Sequence, residues 1–238
     1  MSNLIEIREL NKKYGSNYAL KDINLSLEKG KVIGLLGPNG SGKTTLIKII
    51  AGLINTYQGE VLLDDFKPGK TTKAFVSYLA DREILYTFKK ISDCIKYYAD
   101  FYEDFDREKS VKILESLGLN PSQKISSLSK GMNEKLHLAM VLSRKAKIYI
   151  MDEPIAGVDP VARDEILNTI IDNIAPESLM IISTHLVKDI ENIFEQVIFI
   201  KDGEIALFDT AENIRERDGS SIEEKYKRVF GGLQWENF

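Results

Sequence analysis

Apolar residues along this chain follow more than one period. Early on, Ile23, Leu25 and Leu27 alternate with Asn24 and Ser26, the spacing of a strand with one buried face. The pattern predicts strands over 4–10 and 18–28, parted by a turn at "YGSN". The alternation then stops. "KVIGLLG" is an unbroken apolar run ending in glycine, as expected of a strand buried on both faces. "KIYIMDE" and "SLMIIS" read the same way. A helix is predicted from about Lys43 to Leu53, with strands at 59–64 and 74–80.

From Phe88 to Lys145 the periodicity becomes helical. Val111, Leu114 and Leu117 share one helix face, with Gly118 as a stop. Leu136, Ala139, Met140 and Ser143 mark another, beginning just after "LSKGM". Beyond "KIYIMDE", Asp159-Pro160 supplies an N-cap and a first-turn proline for a further helix. A helix after His185 and strands at 196–201 and 204–209, joined at "KDG", follow. Strands alternating with helices predict an α/β fold with a mostly parallel sheet and right-handed crossovers. An antiparallel β subdomain precedes the sheet, and a helical subdomain over about 88–145 is inserted into it. The segment 217–238 is expected to be a short tail or docking helix.

Composition narrows the function. Among 238 residues, 43% are hydrophobic and 29% charged, an ordinary globular balance. The net charge of −4 gives no basic face for nucleic acid, and no nucleic-acid partner is expected. Cys94 is the only cysteine, so no intrachain disulfide can form, and it reads as a small buried hydrophobe. "MSNLIEIREL" has no basic region leading into an apolar run, so no secretory signal is visible. The apolar runs are far shorter than the ~20 residues that span a bilayer. Work at a membrane would need another chain to do the spanning.

The strongest chemical signal is "GPNGSGKT", which satisfies G-x-x-x-x-G-K-[ST] between a buried strand and a helix. Gly37, Gly40 and Gly42 let successive backbone N–H groups converge on phosphate oxygens. Lys43 supplies a point charge for the β- and γ-phosphates, and Thr44 a hydroxyl for Mg²⁺. Asp152 and Glu153 end the buried strand "IYIMDE", a pair suited to metal-assisted hydrolysis. Asp152 would meet Mg²⁺ and Glu153 an attacking water. In "LSKGM", Ser129 and the N–H groups around Gly131 open a helix, where dipole and free donors favour an anion. Ser129 could equally be a simple cap.

In order, the P-loop, a helical insert with an LSxG element, "MDEP", "GVD" and "STH" resemble the nucleotide-binding subunit of ABC transporters over residues 3–215. The resemblance implies ATP and Mg²⁺ as ligands, and ATP hydrolysis in a head-to-tail dimer of identical or different subunits. Each ATP would lie between one subunit's Gly37, Pro38, Asn39, Gly40, Ser41, Gly42, Lys43, Thr44 and Thr45 and the other's Ser129 and Gly131. It further implies that Tyr14 stacks on adenine, with Tyr18 as nearest competitor and hairpin packing as the plain alternative. His185 would contact the γ-phosphate, and Asp159 would cross the dimer interface. His137 is expected to have only surface or packing duty.

Three positions depart from the family pattern. Asp81 stands where the family has a glutamine that reaches Mg²⁺ and the attacking water. A carboxylate there can ligate the metal but adds charge beside a triphosphate, at a cost of about 4 kcal/mol for two charges ~4 Å apart unless the metal compensates. Lys130 replaces the signature's first glycine, and Met132 its glutamine. "SKGMNEKLHLA" resembles the signature of bacterial ATPases that serve exporters with separate membrane chains. The resemblance therefore implies a cytoplasmic subunit held at the membrane by permease chains. A groove near Tyr86, Phe88 and Ile91 would receive a permease helix. A soluble ABC-type ATPase without a transport role, or a regulatory nucleotide-binding module with little turnover, are the alternatives. A nucleotide kinase or GTPase is disfavoured by "LSKGM" and "STH" together.

Overall fold

The computed structural model describes residues 3–80, 88–156 and 158–231, excepting the side chains of 160–162. β1 (Asn3–Tyr14) and β2 (Asn17–Glu28) form an antiparallel hairpin. β3 (Val32–Leu36) leads into the P-loop and α1 (Lys43–Ile50). β4 (Gln58–Leu63) returns to the free edge of β1, giving a three-stranded sheet in the order β2-β1-β4. β1 runs four residues beyond the expected 4–10. Register shifts between Ile7 and Lys13 break its alternation, and the bulged stretch does not read as strand. α1 stops before the expected Leu53 because Gly52 takes φ +69° and turns the chain out of the helix.

After β5 (Val76–Leu79) come α2 (Ile91–Phe101), α3 (Arg107–Ser116) and α4 (Lys130–Leu142). The chain resumes with β6 (Ile148–Asp152), α5 (Pro160–Asn173), β7 (Leu179–Thr184) and the short α6 (Val187–Ile190). β8 (Gln196–Lys201), β9 (Glu204–Thr210), α7 (Ala211–Asp218) and α8 (Ile222–Phe230) complete the described chain. The main sheet has the order β5-β6-β7-β3-β8-β9, parallel except for the β8–β9 pair. Its centre is buried on both faces. Ile33, Leu35, Ile148, Ile150, Ile181 and Ile198 pack with β1, β2 and α1. Their alternates, Leu36, Tyr149, Met151, Met180, Ile182 and Phe199, pack with the helices on the other face.

The helical lobe is fastened by Arg144, 3% exposed, just past α4. Its Nε and Nη2 donate to the two carboxylate oxygens of Asp104, at 2.9 and 3.1 Å. Nη1 donates to the Val76 carbonyl at 2.6 Å and Nη2 to that of Ala74 at 2.8 Å. The guanidinium also lies 3.9 Å over the Tyr102 ring. Gly118 follows α3 with φ +73°, and Cys94 is buried. α8 carries a capping box of Ser221 and Glu224. Its Tyr226 and Phe230 pack on Phe199, with ring centroids 5.8 and 5.7 Å away.

His137 packs inside α4's buried face rather than at the surface. Burial lowers its pKa from 6.5 to about 4. Above pH 6.5 both folded and unfolded forms are neutral and nothing is lost. Between 6.5 and 4 the unfolded chain takes up a proton that the folded chain refuses, so stability falls as pH falls. The loss reaches about 3 kcal/mol, from ~1.36 kcal/mol per unit. Urea unfolding of the parent and of His137→Leu at pH 7 and pH 4.5 should show a shallower acid loss in the variant. Equal losses would contradict this account.

Candidate functional site

The site lies at the carboxyl ends of three neighbouring parallel strands. Register places Leu36 beside Thr184 and Asp152 beside Ser183. The loop after β3, the acids after β6 and the histidine after β7 therefore leave the sheet together.

The P-loop is held from two sides. A Cβ at Gly37 would sit 2.4 Å from the Ile200 carbonyl oxygen, and one at Gly42 would sit 2.5 Å from that of Ala19. Gly42 also needs φ +114° to open α1, so neither position tolerates a side chain. The Gly203 N–H donates to the Ser41 carbonyl at 3.0 Å, fixing the loop against the β8–β9 turn. Pro38, Asn39, Gly40 and Thr44 are exposed, and Thr45 is half-buried. The first N–H groups of α1 have no partner within the helix and face the loop.

Lys43 is 6% exposed. Its Nζ donates to the carbonyls of Gly37 at 2.7 Å and Pro38 at 3.1 Å. Burial lowers its pKa, while the negative fields of Glu153 and Asp152 oppose that shift.

Glu153 has φ +54°, a left-handed conformation costing a non-glycine residue roughly 1–2 kcal/mol. Its N–H is held by the Ser183 carbonyl at 3.0 Å and the Ser183 hydroxyl at 3.3 Å. The turn aims its carboxylate at His185, with Nδ1 to Oε2 at 2.9 Å. An ionised carboxylate only accepts, so Nδ1 carries the proton and Nε2 is left for a ligand. His185 is 47% exposed and Glu153 15%. Tyr226 of α8 also feels Glu153: burial chiefly raises its phenol pKa, and that negative charge adds to it.

Two buried oxygens here lack a partner, Ser41 Oγ and Asp152 Oδ2. Asp152 is 2% exposed, and its other oxygen accepts from the Ser183 hydroxyl at 2.5 Å. Among the described residues no three His, Cys, Asp or Glu side chains converge as a metal cage. The free Asp152 oxygen and the exposed Thr44 hydroxyl instead suit Mg²⁺, which keeps waters and takes its remaining ligands from phosphates. The residues present fit the metal and a triphosphate. Asp81, the other expected metal ligand, lies outside the described residues.

The second cradle stands apart. Ser129 is exposed, and its hydroxyl accepts the Met132 N–H at 3.3 Å as the cap of α4. A Cβ at Gly131 would meet nothing within 4 Å, so nothing in this chain demands the glycine. Among the described residues no hydrogen bond or ion pair joins Ser129 or Gly131 to the P-loop. Tyr14 and Tyr18 are both exposed, at 53% and 47%. Lys12 lies 4.8 Å over the Tyr14 ring and Lys13 lies 4.1 Å over that of Tyr18. Asp159 is exposed, and its carbonyl accepts the Arg163 N–H at 3.2 Å; the Arg163 guanidinium donates to the Val158 carbonyl at 3.1 Å and to Asp189 at 2.5 Å.

The expected groove needs correction. Ile91 is fully buried, because it is the first residue of α2 and turns inward among the lobe's apolar side chains. Tyr86 lies outside the described residues. Phe88 instead meets Tyr97 at 5.1 Å, and Tyr97 stacks on Phe101 at 5.8 Å. Tyr97 and Phe101 are 49% and 65% exposed. Their i, i+4 spacing was a signal in the sequence that would have found this strip.

Comparison with known proteins agrees with the geometry. A family model described as ABC transporter matches residues 20–156. The chain is 32% identical over 209 residues to the uncharacterized ABC transporter ATP-binding protein YdbJ of Bacillus subtilis, spanning 85% of this chain and 68% of that one. It is 30% identical over 225 residues to the lantibiotic transport ATP-binding protein SrtF of Streptococcus pyogenes, spanning 92% and 97%. A solved ATP-binding subunit of an ABC transporter superposes with a TM-score of 0.86 at 24% identity, covering 95% of this chain and 99% of that one. A dimeric post-hydrolysis cassette bound to ADP and Pi gives 0.75 at 22% identity, covering 87% and 98%. Both likenesses are of fold.

Proposed function

The chain belongs to the ABC transporter family of ATP-binding proteins, and from that premise we propose that it powers export through separate membrane-spanning chains. It is an ATPase that closes head-to-tail with a second ATP-binding subunit. The observation that carries this reading is the pair of unjoined anion sites. One is the P-loop with its acids; the other is Ser129 and the open space at Gly131 on α4. A triphosphate filling only the first leaves the second idle, whereas a second subunit's ATP uses both.

In this reading, phosphate oxygens replace the Gly37 and Pro38 carbonyls at Lys43 Nζ, and the α1 amides with Ser41, Thr44 and Thr45 take the rest. Thr44 and Asp152 Oδ2 would hold Mg²⁺, and the metal would supply positive charge against the phosphate oxygens. Glu153 takes a proton from the water as its oxygen attacks the γ-phosphorus and the β–γ bridging bond breaks. His185 donates from Nδ1 to Glu153 and, as the doubly protonated imidazolium, would also donate from Nε2 to the γ-phosphate, while Tyr14 offers its open face to adenine. Mg²⁺ and these roles are part of the proposal. Among the described residues no helix is long and apolar enough to cross a membrane. The Phe88–Tyr97–Phe101 strip is the docking face for a permease helix, which would hold the subunit at the cytoplasmic side. Export, as opposed to uptake, is supported by the exporter-like "SKGMNEKLHLA" signature and the likeness to a protein named for lantibiotic transport.

Three variants test the reading. Glu153→Gln should keep ATP binding, lose hydrolysis by about 10²-fold or more, and accumulate a dimer with ATP in size-exclusion chromatography. A monomer at saturating ATP and micromolar protein would count against the two-subunit clasp. Lys43→Ala should reduce binding or turnover by about 10²–10³-fold, the scale of a lost charge stabiliser, and parent-like kinetics would remove the P-loop assignment. Ser129→Ala should impair hydrolysis yet leave ATP binding by the monomer unchanged in calorimetry. Loss of monomer binding would mean that Ser129 serves its own chain's nucleotide.

A further inference from the structure

β7 is apolar until its last turn. Leu179, Met180, Ile181 and Ile182 are fully buried, and then Ser183 is fully buried as well. A hydroxyl in such a place costs desolvation unless it is used, and a valine would be the ordinary occupant of a buried parallel strand. Ser183 turns both its hydroxyl and its carbonyl to the two acids. The Glu153 N–H donates into both its hydroxyl and its carbonyl, at 3.3 and 3.0 Å. The hydroxyl's single proton goes to Asp152 Oδ1 at 2.5 Å. Asp152 Oδ2 is then left buried without a partner.

We infer that Ser183 is a positioning residue for hydrolysis, fixing one oxygen of Asp152 so that the other is held for the cation accompanying ATP. The inference rests on the proposed role of Asp152 as a cation ligand. By the same contacts Ser183 holds Glu153 in its left-handed turn. A strand-buried serine thus orders two acids that belong to different tasks, one toward the metal and one toward the water.

The test titrates Mn²⁺, a paramagnetic substitute for Mg²⁺, into the full-length protein with ATP in a Glu153→Gln background. Protein-bound metal is read by electron paramagnetic resonance against ATP alone. Ser183→Ala should raise the Mn²⁺ dissociation constant about 10–100-fold, the usual effect of losing a partner that orients a metal ligand. ATP affinity in EDTA should stay within about twofold, and Ser183→Thr, which restores the hydroxyl, should recover metal affinity to within about threefold of the parent. A folded Ser183→Ala protein with parent-like Mn²⁺ affinity overturns the inference. Should the alanine variant not fold, Ser183→Cys serves, and parent-like affinity there overturns it equally. A parent that binds no Mn²⁺ beyond what ATP binds would instead overturn the metal reading of Asp152, and this inference with it.

Discussion

The parallel register of β3, β7 and β6 is the constraint on which the site depends. Leu36 lies beside Thr184 and Ser183 beside Asp152, so three loops of different chemistry start from one level. Burial on both faces fixes that register. A slip of one residue in β6 would exchange Ile148 and Ile150 for Tyr149 and Met151 between two packed cores. The acids inherit their position from apolar neighbours that have no chemistry of their own. Only at the last residue does the backbone depart from the strand, at Glu153, and its roughly 1–2 kcal/mol of left-handed strain is offset by the two Ser183 acceptors.

The helical lobe is attached by a few polar ties. Arg144 would be costly to bury alone, since an unpaired ion in a protein interior loses several kcal/mol. Here it meets a bidentate carboxylate, two β5-side carbonyls and an aromatic face. That makes the base of the lobe rigid. On its other side Lys135 Nζ pairs with Glu165 at 2.6 Å, tying α4 to α5. The helix opened by Ser129 is therefore linked to the helix that follows the Asp159 loop, and Arg163 and Asp189 link α5 onward to the segment after His185. The exposed strip on α2 shares the lobe's core with α4. Packed side chains rather than a loop therefore connect that strip to the helix that Ser129 opens.

Much of this was legible in the residues. The unbroken runs "KVIGLLG", "IYIMD" and "SLMIIS" announced buried parallel strands because both faces must be apolar there. Glycine spacing with Lys43 and Thr44 announced the phosphate loop because few other backbones can make it. The strip Phe88–Tyr97–Phe101 was half visible: Phe88 was named, but Ile91 faces inward, and helix rotation is not set by composition. The true end of β1 was hidden by bulges, where the period of two fails. Ser183 carried no signal, since a serine after an apolar run looks like the start of a loop. Its role exists only once register brings Asp152 beside it, and the left-handed turn at Glu153 is likewise a tertiary fact.

The unsatisfied groups also say where binding energy is available. Lys43 Nζ rests on carbonyls of its own loop, Ser41 Oγ and Asp152 Oδ2 have no partner, and the first amides of α1 have none within the helix. Each buried polar group left unmade costs about 1–3 kcal/mol, so a ligand that satisfies several at once regains more than an exposed contact could. All of these atoms belong to the first cradle. The second offers an exposed serine and empty space above Gly131, with little stored deficit to relieve. In the proposed two-subunit arrangement that asymmetry corresponds to tight capture by one subunit and weak, reversible closure by the other. Under that proposal, a clasp that reopens after hydrolysis would have as its weak side the one that carries no buried debt.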